Sequence, residues 1–289
     1  MKKSIKLCSL VAALLLCVLF LSCPAAFAIP RVISLYPGHT DNVLALGGNL
    51  IGVSENDNPE LGLPRFSARA GAESLLALQP DLVLTRGLAE RTNPNLSKVL
   101  VQAGVRVESI EPPSWDEFPN YLRRLAGLLE LDDPESGVAR LEAIRSSLAE
   151  QAKKAQAGGK KKPRFLIEAT GRELHTCSPG SWAARLAALC GGVNAAADAV
   201  PQRKGSAVAP WGLERVLKSL NEGLDVYLVQ RGAMNAATLE EVRARPWAGA
   251  LAGVKLAEMP EADLSRPSLL GLERGGKTLL RIFYGEAAE

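Results

Sequence analysis

The sequence is poor in the residues that most enzyme chemistry uses. It has two histidines, His39 and His175, and five cysteines in 289 residues. Three of the cysteines, Cys8, Cys17 and Cys23, fall within the first 28 residues, which leaves Cys177 and Cys190 for the rest of the chain. Residues 181–189 between those two read as a helix, bounded by Ser178-Pro179-Gly180 and Gly191-Gly192, so the cysteines stand roughly 15 Å apart at about 1.5 Å per residue. That is beyond disulfide reach and argues against pairing. There is no G-x-S-x-G elbow and no H-E-x-x-H helix, and neither remaining cysteine has a nucleophile's context. The chain reads as a non-enzyme. A hydrolase with a dispersed triad stays open only if a hydroxyl lies within hydrogen-bond reach of His39 or His175.

A long hydrophobic run is also missing. The most apolar stretch, residues 7–21, is about 15 residues long, short of the roughly 20 that cross a bilayer. It follows Lys2, Lys3 and Lys6 and precedes Ala26-Phe27-Ala28, the plan of a secretory signal covering residues 1–28. A lipid anchor at Cys23 is the alternative, although Phe20 suits that motif poorly. The whole chain carries a formal charge of +3, and removing the signal leaves 31 basic against 31 acidic residues. No basic stripe survives beyond Lys160-Lys161-Lys162, which sits beside Gly158-Gly159 as a solvated loop would, so nucleic acid is not an expected partner.

One motif is present without its context. Residues 271–278, Gly-Leu-Glu-Arg-Gly-Gly-Lys-Thr, satisfy the phosphate-loop pattern. That loop needs a strand before it, a helix after it and an Mg-binding acid on a further strand. Here Arg266-Pro267-Ser268 leads in and only 11 residues follow, so nucleotide binding is rejected.

What the sequence does have is alternation. Strand-like runs at residues 31–35, 50–53, 81–85 and 105–110 are separated by helical ones near 40–46, 74–78 and 94–103. After Pro134, Val138, Leu141, Ile144, Leu148 and Ala152 recur at threes and fours, which predicts one amphipathic helix ending at Ala157-Gly158-Gly159. A second series follows, with strands at 164–169, 225–230 and 254–257 and helices at 181–189, 211–219 and 239–245. Strands alternating with helices imply parallel sheets. The expected fold is α/β, two Rossmann-like lobes (residues 29–132 and 159–289) joined by a single long helix at 133–158.

The halves echo each other. Glu73-Ser74-Leu75-Leu76 leads to a strand ending in Arg86-Gly87, and Glu214-Arg215-Val216-Leu217 leads to a strand ending in Arg231-Gly232. Helix capping accounts for either glutamate alone, but not for the same order twice. Ligands of open parallel sheets bind outside the carboxyl ends of the strands. Arg86 and Arg231 lie at two such ends, as do loops carrying Tyr36, His39, His175 and Trp182.

Several short pieces, in order and spacing, resemble the helical-backbone periplasmic binding proteins for ferric siderophores, haem and cobalamin, with the cobalamin binders most similar in layout. They are Arg31-Val32-Ile33-Ser34-Leu35, Thr40-Asp41, Ala45-Leu46-Gly47, Ile51-Gly52-Val53, Gln79-Pro80-Asp81, Gly191-Gly192-Val193-Asn194 and Arg266-Pro267-Ser268, spread over residues 30–285. The resemblance implies a periplasmic, monomeric component of an ABC importer that holds a chelate between its lobes and closes little on binding. It implies that Glu73 and Glu214 dock into arginines of a permease dimer, and that Tyr36, Arg86, Trp182, Trp211 and Arg231 line the cleft. Ferric siderophore is the first choice of ligand, then cobalamin, then haem, with no resident cofactor. The alternative is a metal or haem site using His39 and His175, with Asp41 or Glu173 as a further ligand.

Overall fold

A computed structural model describes residues 29–285. The expected signal at 1–28, with the lipid-anchor alternative at Cys23, lies outside the described residues. In the first lobe, β1 (Arg31–Ser34), β2 (Asn49–Ser54), β3 (Arg65–Phe66), β4 (Leu82–Thr85) and β5 (Arg106–Ser109) form a parallel sheet in the order β3-β2-β1-β4-β5. Its helices are α1 (Pro37–Ala45), α2 (Ala72–Leu76), α3 (Gly87–Thr92) and α4 (Pro94–Gln102). Then come α5 (Phe118–Leu128) and the 22-residue α6 (Ser136–Ala157), about 33 Å long.

The second lobe has β6 (Arg164–Thr170), β7 (His175–Cys177), β8 (Val193–Asn194), β9 (Val208–Ala209), β10 (Val226–Arg231) and β11 (Lys255–Pro260), in the order β11-β10-β6-β7-β9 with β8 beside the start of β6. Its helices are α7 (Trp182–Leu189), α8 (Gly212–Asn221), α9 (Leu239–Arg243), α10 (Glu261–Leu264) and α11 (Leu269–Tyr284). The neighbours β6, β10 and β11 run parallel, whereas β7 is antiparallel to both β6 and β9. The sequence echo is thus topological. β1, β4 and β5 stand side by side as β6, β10 and β11 do, and the second lobe adds a short antiparallel extension.

Strand alternation builds the core in three parts. Val32, Leu82 and Leu84 of the first sheet and Phe165, Ile167, Val226 and Leu228 of the second all point into one cluster that runs between the sheets. The intervening residues Ile33 and Val83, and Leu166, Tyr227 and Val229, fill separate clusters on the far side of each sheet. Because the central cluster also takes in Leu141, Leu148 and Ala152 of α6, it ties the lobes together.

Four helices, α3, α5, α10 and α11, stand where the sequence reading assigned none, and α5 and α11 are the two long ones. In α5, Phe118, Tyr121, Leu122 and Leu125 recur at helical spacing and are buried. The other, α11, contains the whole phosphate-loop pattern as continuous helix, so the glycines serve packing. A Cβ at Gly276 would lie 2.3 Å from Leu148 of α6, and one at Gly275 would lie 1.9 Å from the Asp263 carbonyl. Glycine disfavours helix, which hid the element, but the close approach it permits offsets that cost. Ahead of α11, Asn42 of α1 donates to the Pro267 carbonyl (3.0 Å) and accepts from the Leu269 amide (3.0 Å), a second tie between the lobes.

Candidate functional site

The carboxyl ends of the parallel strands set the site. Tyr36 follows β1 and precedes Pro37 at the start of α1. A Cβ at Gly38 would meet the Tyr36 ring at 2.6 Å, so glycine there makes room for the ring. Arg86 follows β4 and lays its guanidinium 4.4 Å from the ring centroid, a cation–π stack. Both line an open recess of about 220 Å³ with Ser54, Asn56, Phe66 and Leu88. Burial raises the Tyr36 phenol above its ordinary pKa, although Arg86 and Arg266 oppose it, so the ring stays neutral at pH 7.

Across the cleft, Arg231 ends β10 and pairs with Glu258 of β11 at 3.3 Å. They share a hollow of about 450 Å³ with Gly232, Asn235, Met259 and Pro260. Glu261 relates the two walls. A Cβ at Gly232 would lie 2.6 Å from the Glu261 Cβ, and the Glu261 charge also acts on Tyr36.

The two tryptophans are packed rather than presented. Trp182 is 6 % exposed and sits 4.8 Å from Trp115 and 4.9 Å from Phe118, in the core between the lobes. Trp211 is 8 % exposed in the second lobe's own cluster, and Arg215 stacks on it at 4.1 Å. Its groove, shared with Arg164, Asp198 and Lys218, has no lining residue in common with the recess at Tyr36 or the hollow at Arg231.

His39 is 1 % exposed and spends both ring nitrogens inside the fold. Nε2 is 3.0 Å from the Ile110 carbonyl, which only accepts, so Nε2 donates and Nδ1 accepts from the Tyr121 hydroxyl at 2.9 Å. Burial lowers its pKa to about 4. The reading of His39 and His175 as a metal site is therefore corrected, because His39 has no free nitrogen to offer. Among the described residues, no group of three or more His, Cys, Asp or Glu is disposed to hold a metal ion. Hydroxyls do lie near both histidines: Tyr121 at His39, and Thr170 at 3.2 Å from Nδ1 of His175. The first is buried. In the second, the Glu173 carboxylate is 4.0 Å from the imidazole, too far for the orienting hydrogen bond of a triad. Cys177 and Cys190 are free and buried, with thiols pushed up to about 12 by desolvation.

Glu73 and Glu214 are exposed in the first turns of α2 and α8. α2 leaves β3, which is parallel to β2, and α8 leaves β9, which β7 makes parallel to β6. Both helices therefore begin at the carboxyl edge of their sheet, beside the cleft.

The sequence reading missed a buried network. Glu168 of β6 accepts from Arg245 (2.5 and 2.9 Å), from Tyr227 (2.5 Å) and from Asn235 (3.3 Å). Burial pushes the Glu168 carboxyl up, but Arg245 and Tyr227 outweigh it and the net shift is downward. The available signal was an acid inside Phe165-Leu166-Ile167-Glu168-Ala169, since a buried strand keeps a carboxylate only when it is paired.

No protein-family model matches the sequence. The vitamin B12-binding protein of Salmonella paratyphi A is 31 % identical over 179 residues, 60 % of this chain and 64 % of the relative, so the match spans a little under two thirds of that protein. The vitamin B12-binding protein of Vibrio cholerae is 30 % identical over 202 residues, 65 % of this chain and 70 % of the relative. Among solved structures, the periplasmic vitamin B12-binding protein of Vibrio cholerae superposes with a TM-score of 0.57 at 22 % identity, covering 88 % of this chain and 96 % of that one. A periplasmic haem-binding protein of Pseudomonas aeruginosa gives 0.65 at 21 % identity, covering 89 % and 94 %. The solved structures share the fold, and the sequence match shows that the chain belongs to the periplasmic binding-protein family of the vitamin B12-binding proteins.

Proposed function

We propose that this protein is the periplasmic substrate-binding component of an ABC importer, holding a metal chelate of the cobalamin, haem or ferric-siderophore class between its lobes. The observation that carries the reading is the pair of walls at the carboxyl edges, with Tyr36 and Arg86 on one lobe and Arg231 on the other. Arginine's planar fork suits carboxylates and carbonyls, and the exposed edge of Tyr36 gives an apolar contact beside it. A chelate brings its metal already coordinated, so the wall needs hydrogen bonds and shape rather than a set of protein ligands. Trp182 and Trp211, packed in the core clusters, are left out of these walls. Cobalamin takes first place over ferric siderophore because the relatives named by sequence are vitamin B12-binding proteins.

Glu73 and Glu214, one at the rim of each lobe, are proposed to dock the loaded protein on a permease dimer. Charges matched across such a contact supply orientation and encounter rate more than affinity. The test is native mass spectrometry with absorption spectra on the mature protein, titrated with cyanocobalamin, haem and a ferric hydroxamate. A saturable one-to-one complex with one of them establishes the reading, and no complex with any of them overturns it.

A further inference from the structure

The Glu168–Arg245 pair lies beneath the second wall of the cleft. Its side chains are 1 % and 17 % exposed. Two loops rest on it: residues 171–174, which follow β6 as the Tyr36 turn follows β1, and residues 232–235, which follow Arg231. Asn235 is the link. Its Nδ2 donates to the Glu168 carboxylate (3.3 Å), while its Oδ1 accepts from the amides of Gly171 (3.2 Å) and Ala237 (3.1 Å). Its backbone closes the other loop through paired hydrogen bonds with Gly232 (3.0 and 3.2 Å). A Cβ at Gly171 would stand 3.2–3.3 Å from Arg245, Glu168 and Asn235, so that loop's backbone lies directly on the network.

The loop above it is strained. Glu173 (φ 60) and Leu174 (φ 49) both hold the left-handed conformation that side chains other than glycine rarely take. Such residues persist only where the surroundings dictate them. A buried ion pair is itself a poor stabiliser, since desolvation consumes most of its attraction and apolar pairs of similar volume often serve as well. An apolar pair has no directional hydrogen bonds with which to hold Asn235 and, through it, both loops.

We infer that Glu168 and Arg245 are positioning residues, whose network fixes residues 171–174 and 232–235 as a preformed cleft wall so that a ligand meets it already ordered. The inference rests on the interlobe cleft being the ligand site. Preorganisation of this kind raises affinity by removing an ordering cost at binding.

Two variants of the mature protein test it: Asn235→Ala, which severs the loops from an intact ion pair, and the double Glu168→Met, Arg245→Met, which replaces the pair with apolar volume. The dissociation constant for cyanocobalamin, or for haem or the ferric hydroxamate if one of those is the probe that binds, is expected to rise about tenfold in both, the scale of one lost buried hydrogen bond to ordered backbone. Amide hydrogen exchange at 171–174 and 232–235 is expected to quicken while the strands beneath keep their protection, which a general loss of stability would not produce. Unchanged affinity and unchanged exchange in Asn235→Ala overturn the inference, whether or not the double variant folds. If the wild-type protein binds none of the probes, the chelate reading fails on its own, and exchange in the free protein still decides whether the pair orders the wall.

Discussion

The two lobes solve the same topological problem with different chemistry. Each places three parallel strands side by side, β1-β4-β5 and β6-β10-β11, and each carries a glutamate on the helix that starts at the carboxyl edge. Beneath that edge the first lobe has no buried ion pair among the described residues: His39 sits neutral between Tyr121 and the Ile110 carbonyl, and the Asp57 carboxyl is held by the Thr40 hydroxyl and the Ser54 amide. The second uses the ionised pair Glu168–Arg245. The rims are alike, whereas the floors that set rigidity and pH response are not. Topology repeats across the lobes; electrostatics follows the particular side chains.

The comparison breaks most visibly at the rims. Replacing Glu73 and Glu214 together by alanine is expected to abolish uptake in cells while the dissociation constant of the purified protein stays as it was. Both side chains are exposed and neither lines a recess at the cleft, so weakened ligand binding in the double variant would remove them from docking. Either single variant should retain part of the transport, because one anchored lobe still orients the other.

The floors give the next two effects. Arg245→Met leaves the Glu168 carboxylate buried without its counter-charge, and the expected loss is about 3–5 kcal/mol of unfolding free energy, read by denaturant titration. His39 contributes a pH-dependent term instead. Burial holds its pKa at about 4, while an unfolded chain protonates it near ~6.5. The unfolded state therefore takes up the proton first, and stability that is complete above ~6.5 drains by about 3 kcal/mol as the pH falls to about 4. Asp57 works in the opposite sense. Burial raises its carboxyl to about 6, against hydrogen bonds from Thr40 and the Ser54 amide. The folded state thus binds that proton first, and stability rises as the pH falls through 6. In an Asp57→Asn background, His39→Gln should flatten stability between pH 7 and 4; an unchanged slope would move the acid response elsewhere.

The same contrast explains what was legible in the sequence. Repeated strand–helix order, the α6 spacing and the paired glutamates are local patterns, and they gave the lobes and the rims. The floors are non-local. His39 reads as a loop residue until α5 brings Tyr121 to it from 82 positions away. Trp211 reads as a cleft residue beside Pro210 until Leu166, Val216 and Tyr227 are seen packed around it. The helix α11 was hidden because Gly271, Gly275 and Gly276 lower local propensity, and only its contacts with α6 and α10 explain them.

The smallest expected effect sharpens the comparison between the two strand-end arginines. Arg86 stacks on Tyr36, and among the described residues no carboxylate forms an ion pair with it, whereas Arg231 pairs with Glu258 while the two side chains keep 44 % and 38 % of their surface. Exposed pairs of this kind contribute about 0–1 kcal/mol, because water and salt screen them and ordering two long side chains offsets the attraction. Arg231→Met should therefore shift the unfolding midpoint barely, and a double-mutant cycle with Glu258→Gln should return a coupling under about 1 kcal/mol. Any loss of ligand affinity in Arg231→Met then reports direct contact rather than a disturbed fold. If Arg86→Met weakens binding several-fold and Arg231→Met leaves it unchanged, the first lobe alone holds the ligand's polar groups and the second lobe contributes shape.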